Sequence, residues 1–491
     1  MIYPRFRNSP LAGLLTLVCL ASAYEAFRLP TMAAPPRSVS TVPGSGDDPV
    51  EERRPPNILL IITDQQHADM MSCAGNMNLK TPAMDSLTRE GIRFSNAYVT
   101  NPVCVPSRIS IATGVMAGRL GVLNNGVKAN VPTEVKQNSL GELIKGAGYD
   151  TFYGGKVHMC PELNPLAAGD DEYFRDQREA LPVACIEFLQ RDRDRPFFAV
   201  ASFINPLDIC FAYSAYRRKS PRGRSSVEHL YQQALKLSAE ELPPLPENFR
   251  IPDLEPDAID LYSKANAVTP AGTMRKVYDE HQWRIYRWIY CRLTEQVDEH
   301  IGQILNALKR NQFDEKTLVV FTSDHGDMDA CHRLASKGRF YEQSVRVPLL
   351  MRYKGRIIPG RVDDHLVSSG LDILPTLCSY AEIDVPESLL GKSLQSIAEG
   401  KTVESWRQYV VTENHTGRML RSNQFKYCVY REGEARESLV DMGSDPGEMQ
   451  NLATSSEFRT VLDRHQCYLQ QWIALSADTD ARSFAVRCEL N

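Results

Sequence analysis

Five short segments of the 491-residue chain hold side chains that could do chemistry. Cys104-Val105-Pro106-Ser107-Arg108 puts a thiol, a hydroxyl and a guanidinium within five positions, and Thr113-Gly114 follows. Asp64 and the pair Asp324-His325 each come within a few residues of a short apolar run, Asn57–Ile62 and Leu318–Phe321. Lys156 and His158 share the segment Tyr153-Gly154-Gly155-Lys156-Val157-His158, and Lys337 follows Asp324 by thirteen positions. Singly, each has a bland explanation. A cysteine is often a small buried apolar residue, and an aspartate after a strand is often a helix N-cap. Together they offer carboxylates for a hard cation, a base that titrates near neutrality and cations for an anionic substrate. The net charge of −5 gives no sign of nucleic-acid or anionic-membrane binding, so those cations must be gathered locally.

The pattern Cys104-x-Pro106-Ser107-Arg108-x4-Thr113-Gly114 resembles the signature of type I sulfatases, in the alkaline phosphatase superfamily. There the cysteine is oxidised after translation to formylglycine. One hydroxyl of the hydrated aldehyde attacks sulfur, and the other, on losing its proton, lets sulfate leave, which divides one hard step into two. The similarity extends to Asn57–Gln66, Thr322–Gly326, the Gly155-Lys156-x-His158 segment, Ser336–Leu349 and the C-terminal stretch ending in Asp445-Pro446-Gly447-Glu448. It implies one calcium ion held by Asp64, Asp324, His325 and the oxygen of converted Cys104, although nitrogen suits calcium poorly. Gln65, where many members carry an acid or Asn, would ligate only weakly and is left out of that set. The resemblance further implies that Arg108 orients the formylglycine and that Lys156 binds sulfate or steadies the hydrate. His158 becomes the base that releases sulfate, and Lys337 contacts both sulfate and the leaving oxygen.

One departure stands out. In Ser202-Phe203-Ile204-Asn205-Pro206-Leu207-Asp208, similar sulfatases usually show a histidine where this chain has Leu207. General-acid help of that kind is worth about 10²–10⁴ in rate. Lys337, a histidine such as His365 or His415, or a good leaving group must compensate, or the enzyme is impaired. His415 and Arg421 read either as reaching toward substrate or as surface groups. The implied activity is hydrolysis of sulfate esters of a small molecule or glycan, with sulfated carbohydrates as the expected substrates, after processing by a formylglycine-generating enzyme. Two alternatives remain: a phosphonate monoester or phosphodiester hydrolase of the same superfamily, or a catalytically weak glycan-binding relative. No nucleic-acid partner and no stable membrane partner is expected.

The elements that must position these groups alternate between strands and helices. Asn57–Ile62, Phe197–Ala201 and Leu318–Phe321 are short apolar runs typical of strands buried on both faces. Between them Val277–Leu308 carries helical periodicity. This predicts an α/β fold with a mainly parallel sheet and a site at the strands' carboxyl ends. The resemblance sharpens it to an alkaline-phosphatase-like large mixed sheet flanked by helices, over residues 57–380. A smaller α+β domain over 381–491 is expected, with strands at Arg407–Glu413, Arg418–Arg431 and Glu437–Met442 and a helix near Phe458–Ala474. Upstream, residues 1–23 resemble a secretory signal peptide, with Arg5, Arg7, an apolar run and Ala21-Ser22-Ala23, and 24–56 read as a flexible leader. A periplasmic or secreted location follows. Removing Cys19 with the signal and converting Cys104 leaves an even ten of the twelve cysteines, which permits disulfides without fixing their connectivity. The segment Tyr213–Ala267, with its basic run 216–224 and Leu242-Pro243-Pro244-Leu245-Pro246, reads as a surface excursion or a substrate-facing lid.

Overall fold

In the computed structural model, residues 55–126, 128–212, 224–265 and 270–488 are described. The signal-like run, nearly all of the leader and the basic stretch 216–223 lie outside the described residues. Strand β1 (Asn57–Asp64) explains its own composition. Ile58, Leu60 and Ile62 enter one core together with Ile373, Leu374 and Leu377 of the helix Ser369–Tyr380. Leu59 and Ile61 enter a second core with Val297, Ile301 and Leu305 of the helix Glu280–Arg310. A strand covered on both faces needs no polar alternation.

The remaining strands before the C-terminal region are β2 (Ile92–Phe94), β3 (Ala97–Tyr98), β4 (Asp150–Gly155), β5 (Glu172–Phe174) and β6 (Phe197–Pro206). They continue with β7 (Thr317–Ser323), β8 (Leu349–Arg352), β9 (Arg361–Asp363) and β10 (Val367–Ser368). Eight form one sheet in the order β5-β4-β6-β1-β7-β8-β2-β9, while β3 and β10 pair separately. The first five positions are parallel; β8 is antiparallel to both β7 and β2. The sheet is therefore mixed, as expected. Register aligns Gly155 with Ser202, Asp64 with Pro206 and Thr63 with Ser323. Four adjacent parallel strands thus end side by side, followed by Lys156, Leu207, Gln65 and Asp324.

The long helix runs for 31 residues and opens with a capping box: the Asp279 carboxylate accepts from the Gln282 amide, and the Gln282 side chain accepts from the Asp279 amide. Its Arg284 and Arg287 donate to the carbonyls of Leu242, Pro243 and Pro244, which ties the proline-rich segment to the helix surface. Flanking that segment are the helices Arg224–Ala234 and Asp257–Ala265.

The C-terminal sheet has four antiparallel strands, β11 (Tyr409–Asn414), β12 (Gly417–Ser422), β13 (Phe425–Tyr430) and β14 (Glu437–Asp441), with the helix Arg459–Leu475 beside it. The stretch expected as one strand, Arg418–Arg431, is a hairpin. Ser422 Oγ donates to the Phe425 carbonyl and accepts from the Phe425 amide, closing a turn at Asn423-Gln424. This sheet docks on the preceding α/β domain beside β3 through buried charge: Lys426 pairs with Glu342 and Glu448, and Tyr98 donates to Glu342 and accepts from Arg421. Among the described cysteines Cys467 and Cys488 form a disulfide. Among the described residues no helix is long and apolar enough to cross a membrane.

Candidate active site

Cys104 is the first residue of the helix Cys104–Thr113 and is 1% exposed. Its Sγ lies 3.0 Å from Lys337 Nζ, 3.1 Å from His325 Nε2 and 3.9 Å from Asp64 Oδ1. Burial and Asp64 push the thiol up, but Lys337, His325 and Lys156 overcome them and hold it well below the ordinary thiol value. The pocket favours negative charge on whatever side chain stands at 104.

Arg108 sits one turn further along the helix and is almost fully buried. Its Nε donates to Asp324 Oδ2 at 2.7 Å and its Nη2 to Asp64 Oδ2 at 3.0 Å. Nη1 donates to Ser202 Oγ at 2.7 Å and to the Lys156 carbonyl at 3.1 Å. The guanidinium thus joins the ends of β4, β6, β1 and β7. It holds the two carboxylates, and no hydrogen bond joins it to Cys104 among the described residues. Lys156 Nζ also bonds Asp64 Oδ2. Burial opposes ionisation of Asp64, yet Lys156, Lys337 and Arg108 hold its carboxyl well below the usual range. Asp324 moves the other way, because burial outweighs Arg108.

The two aspartates are oriented alike. Each gives Oδ2 to cationic side chains and turns Oδ1 toward Cys104 and His325. His325 Nε2 lies 3.6 Å from Asp324 Oδ1 and 3.9 Å from Asp64 Oδ1, and its Nδ1 faces the Gly326 carbonyl at 3.0 Å. With Nδ1–H donating to that carbonyl, Nε2 keeps a lone pair for a metal. Donor atoms of Asp64, Cys104, Asp324 and His325 all lie within 4.8 Å of one another. Oxygen ligands about 2.4 Å from a calcium ion are separated by about 3.4 Å at right angles and about 4.8 Å across it. The cluster fits such an ion. A second acidic group, Asp363-Asp364-His365, is partly exposed and formed of consecutive residues.

The other expected residues fall in different places. Lys337 is half-buried and bonds both Cys104 and Gln65 Oε1, the latter at 3.0 Å. His158 is exposed at the lip beyond β4, with left-handed backbone at φ 48°, and no hydrogen bond joins it to Cys104 among the described residues. Leu207 begins the turn after β6, half-buried, while the next residue, Asp208, is held by Arg178 at 2.6 Å. Of the candidate substitutes for the missing histidine, Lys337 is the one that bonds Cys104. His365 pairs with Asp363 at 2.9 Å, and His415 lies in the β11–β12 turn. Arg421 is buried against Tyr98 and does not point to a surface cleft. Sequence reasoning missed Ser202, which becomes visible only through the β4–β6 register, and Asp327, which stands three residues beyond Asp324 in the same segment.

Residues 56–383 match the model of the Sulfatase family, and residues 330–474 match that of the N-sulphoglucosamine sulphohydrolase C-terminal region. The chain is 30% identical over 464 residues to a Δ4,5-hexuronate-2-O-sulfatase of Bacteroides thetaiotaomicron, covering 88% of this chain and 91% of the relative. It is 26% identical to an N-acetylglucosamine-6-O-sulfatase of the same organism, over 83% and 84% of the two chains. The solved structure of a 2-O GAG sulfatase superposes with a TM-score of 0.75 at 27% identity, covering 89% and 95%. A phosphonate monoester hydrolase of Agrobacterium radiobacter shares the fold, with a TM-score of 0.67 at 21% identity over 86% and 95%. A signature cysteine buried between two strand-end carboxylates and two lysines, within a chain matched over most of its length, settles the relationship: this protein belongs to the sulfatase family of the alkaline phosphatase superfamily, hydrolases of sulfate esters.

Proposed function

We propose that the protein removes sulfate from sulfated carbohydrates, with Cys104 converted to formylglycine and one calcium ion held by Asp64, Asp324, His325 and residue 104. The observation that carries this reading is the convergence of Cys104 Sγ, His325 Nε2 and the Oδ1 atoms of both aspartates within 4.8 Å, in a buried pocket closed by Lys156 and Lys337. The relatives' names, a hexuronate-2-O-sulfatase and an N-acetylglucosamine-6-O-sulfatase, support a sugar sulfate as substrate. The signal-like N-terminus supports export, to the periplasm or beyond.

Formylglycine supplies a hydrated aldehyde with two hydroxyls on one carbon, and calcium supplies a Lewis acid for the sulfuryl oxygens. The chain's own residues do the rest. Arg108 fixes both carboxylates so that they present one oxygen each. Lys337 and Lys156 place positive charge where it builds on the sulfuryl oxygens, the contribution usually largest in such sites. Lys337, 3.0 Å from Cys104 Sγ, would also meet the leaving oxygen and, with Leu207 unable to donate, would be its proton source. His158, at the exposed lip, would be the base that takes the proton from the second hydroxyl to release sulfate.

The test is co-expression with a formylglycine-generating enzyme, followed by mass analysis of the peptide containing residue 104 and turnover of an aryl sulfate against an aryl phosphonate. Conversion of the thiol to the aldehyde with dominant sulfate turnover is expected. An active enzyme that keeps its thiol, or dominant phosphonate turnover, overturns the reading.

A further inference from the structure

Gln65 occupies the position where similar sulfatases often carry another metal ligand, yet its side chain is committed elsewhere. The residue is fully buried, with left-handed backbone at φ 68°. Its Nε2 donates to Asp327 Oδ2 at 2.6 Å, and its Oε1 accepts from Lys337 Nζ at 3.0 Å. The amide cannot be turned over. A carboxylate only accepts and an ammonium only donates, so these two neighbours dictate which end of the amide faces which. Asp327 is itself held. Its Oδ1 accepts the Asp329 amide at 2.8 Å, and both oxygens take the Tyr286 hydroxyl at 2.9 Å. Tyr286 belongs to the capped long helix. On the other side of the amide, Lys337 Nζ rests 3.0 Å from Cys104 Sγ.

We infer that Tyr286, Asp327 and Gln65 form a positioning relay that aims the Lys337 ammonium at residue 104, with Gln65 serving this relay in place of the metal. The inference deepens the proposed sulfatase reaction and rests on Lys337 acting in it.

The relay makes an unusual prediction about paired substitutions. In Asp327→Asn the Asp329 amide keeps the oxygen on its own side, so the new NH₂ faces Gln65 Nε2. The glutamine must turn over and present its own NH₂ to the lysine ammonium. Turnover of an aryl sulfate should fall at least about tenfold, a fraction of what loss of a whole oxyanion donor costs. Adding Gln65→Glu to that variant supplies two acceptors, one for the asparagine and one for Lys337. The pair should recover most of the native rate, although Gln65→Glu alone, which sets two carboxylates face to face, is impaired. Calcium content, measured by metal analysis, should stay at the native level in Asp327→Asn and in Gln65→Ala.

A second cycle does not depend on rescue. Gln65→Ala should lower kcat in the native enzyme but change it less than twofold when Lys337 is already alanine, because a residue acting only through another has nothing left to lose. Equal fold-losses in both backgrounds, or loss of calcium from Gln65→Ala, overturn the relay. So does failure of the double substitution to regain activity when its melting temperature matches the native protein. Native enzyme without sulfate turnover would instead count against the sulfatase reading itself, which keeps the two failures apart.

Discussion

Arg108 offers the sharpest quantitative test, because one buried side chain makes four hydrogen bonds that link the ends of four strands. Arg108→Ala removes the shared partner of Asp64 and Asp324, both fully buried. Breaking a buried ion pair by deleting one member costs about 3–5 kcal/mol, because the remaining charge stays desolvated. Lys156 still bonds Asp64, so most of that cost falls on Asp324. Denaturant unfolding in the presence of a chelator should therefore show a loss of about 3–5 kcal/mol. Saturating calcium should return part of it, and should stabilise the variant more than the native protein, since the ion then carries charge compensation that the guanidinium shared before. Arg108→Lys should restore little, because a single ammonium cannot span two carboxylates that the planar fork spans together. Turnover should fall by at least about 10², the scale of losing one preorganised electrostatic partner. A variant within about 1 kcal/mol of native stability in chelator would refute the idea that Arg108 holds the metal carboxylates in place.

Three further outcomes are expected. Leu207→His should raise the rate on a substrate with a poor leaving group about tenfold or more while barely changing that on an activated aryl sulfate; equal rates on both would mean that Lys337 already satisfies the leaving oxygen. Glu413, 2% exposed, is pushed up to about 7 by burial that outweighs nearby Arg418. Its folded form binds a proton more tightly than the unfolded chain, so its contribution is complete below about pH 4.5 and disappears as pH rises through 7. Between pH 4.5 and 8, Glu413→Gln should lose about 3 kcal/mol less stability than the native protein, and parallel stability curves would contradict this. Cys467→Ser opens a crosslink spanning 21 residues and should cost about 3 kcal/mol, read by the unfolding midpoint under oxidising conditions.

What could be read in advance follows from the physics of each element. β1 and β7 were legible because strands covered on both faces are unbroken apolar runs, and the long helix because apolar residues recur at three- and four-residue steps along Val277–Leu308. β3 and β10, two residues each, carry no pattern that a sequence can show. The β12–β13 hairpin was read as one strand because its turn is polar but contains neither glycine nor proline. In the site, Cys104, Asp64, Asp324 and Lys337 belong to segments whose spacing is local and recognisable. The partners of Arg108 are not local. Ser202 and the Lys156 carbonyl reach it only because β4 and β6 pair in one register, which no short motif encodes. Burial was equally hidden: nothing in Gly-Lys-Val-His separates a lysine that turns inward from a histidine that turns out.

The central place of β1 also has a consequence for biosynthesis. Its first neighbour in the sheet, β6, begins 140 residues later in the chain, and β7 contacts it across a separation of 259. At ribosomal speeds of about 5–20 residues per second, the edge that β7 will cover stays open for about 13–50 seconds. During that interval Ile58–Ile62 is a bare aliphatic ribbon with free amides, the kind of segment that recruits other strands. Nascent chains of this protein should therefore depend on a holding chaperone until residue 323 has emerged, and truncation anywhere before β7 should yield aggregates.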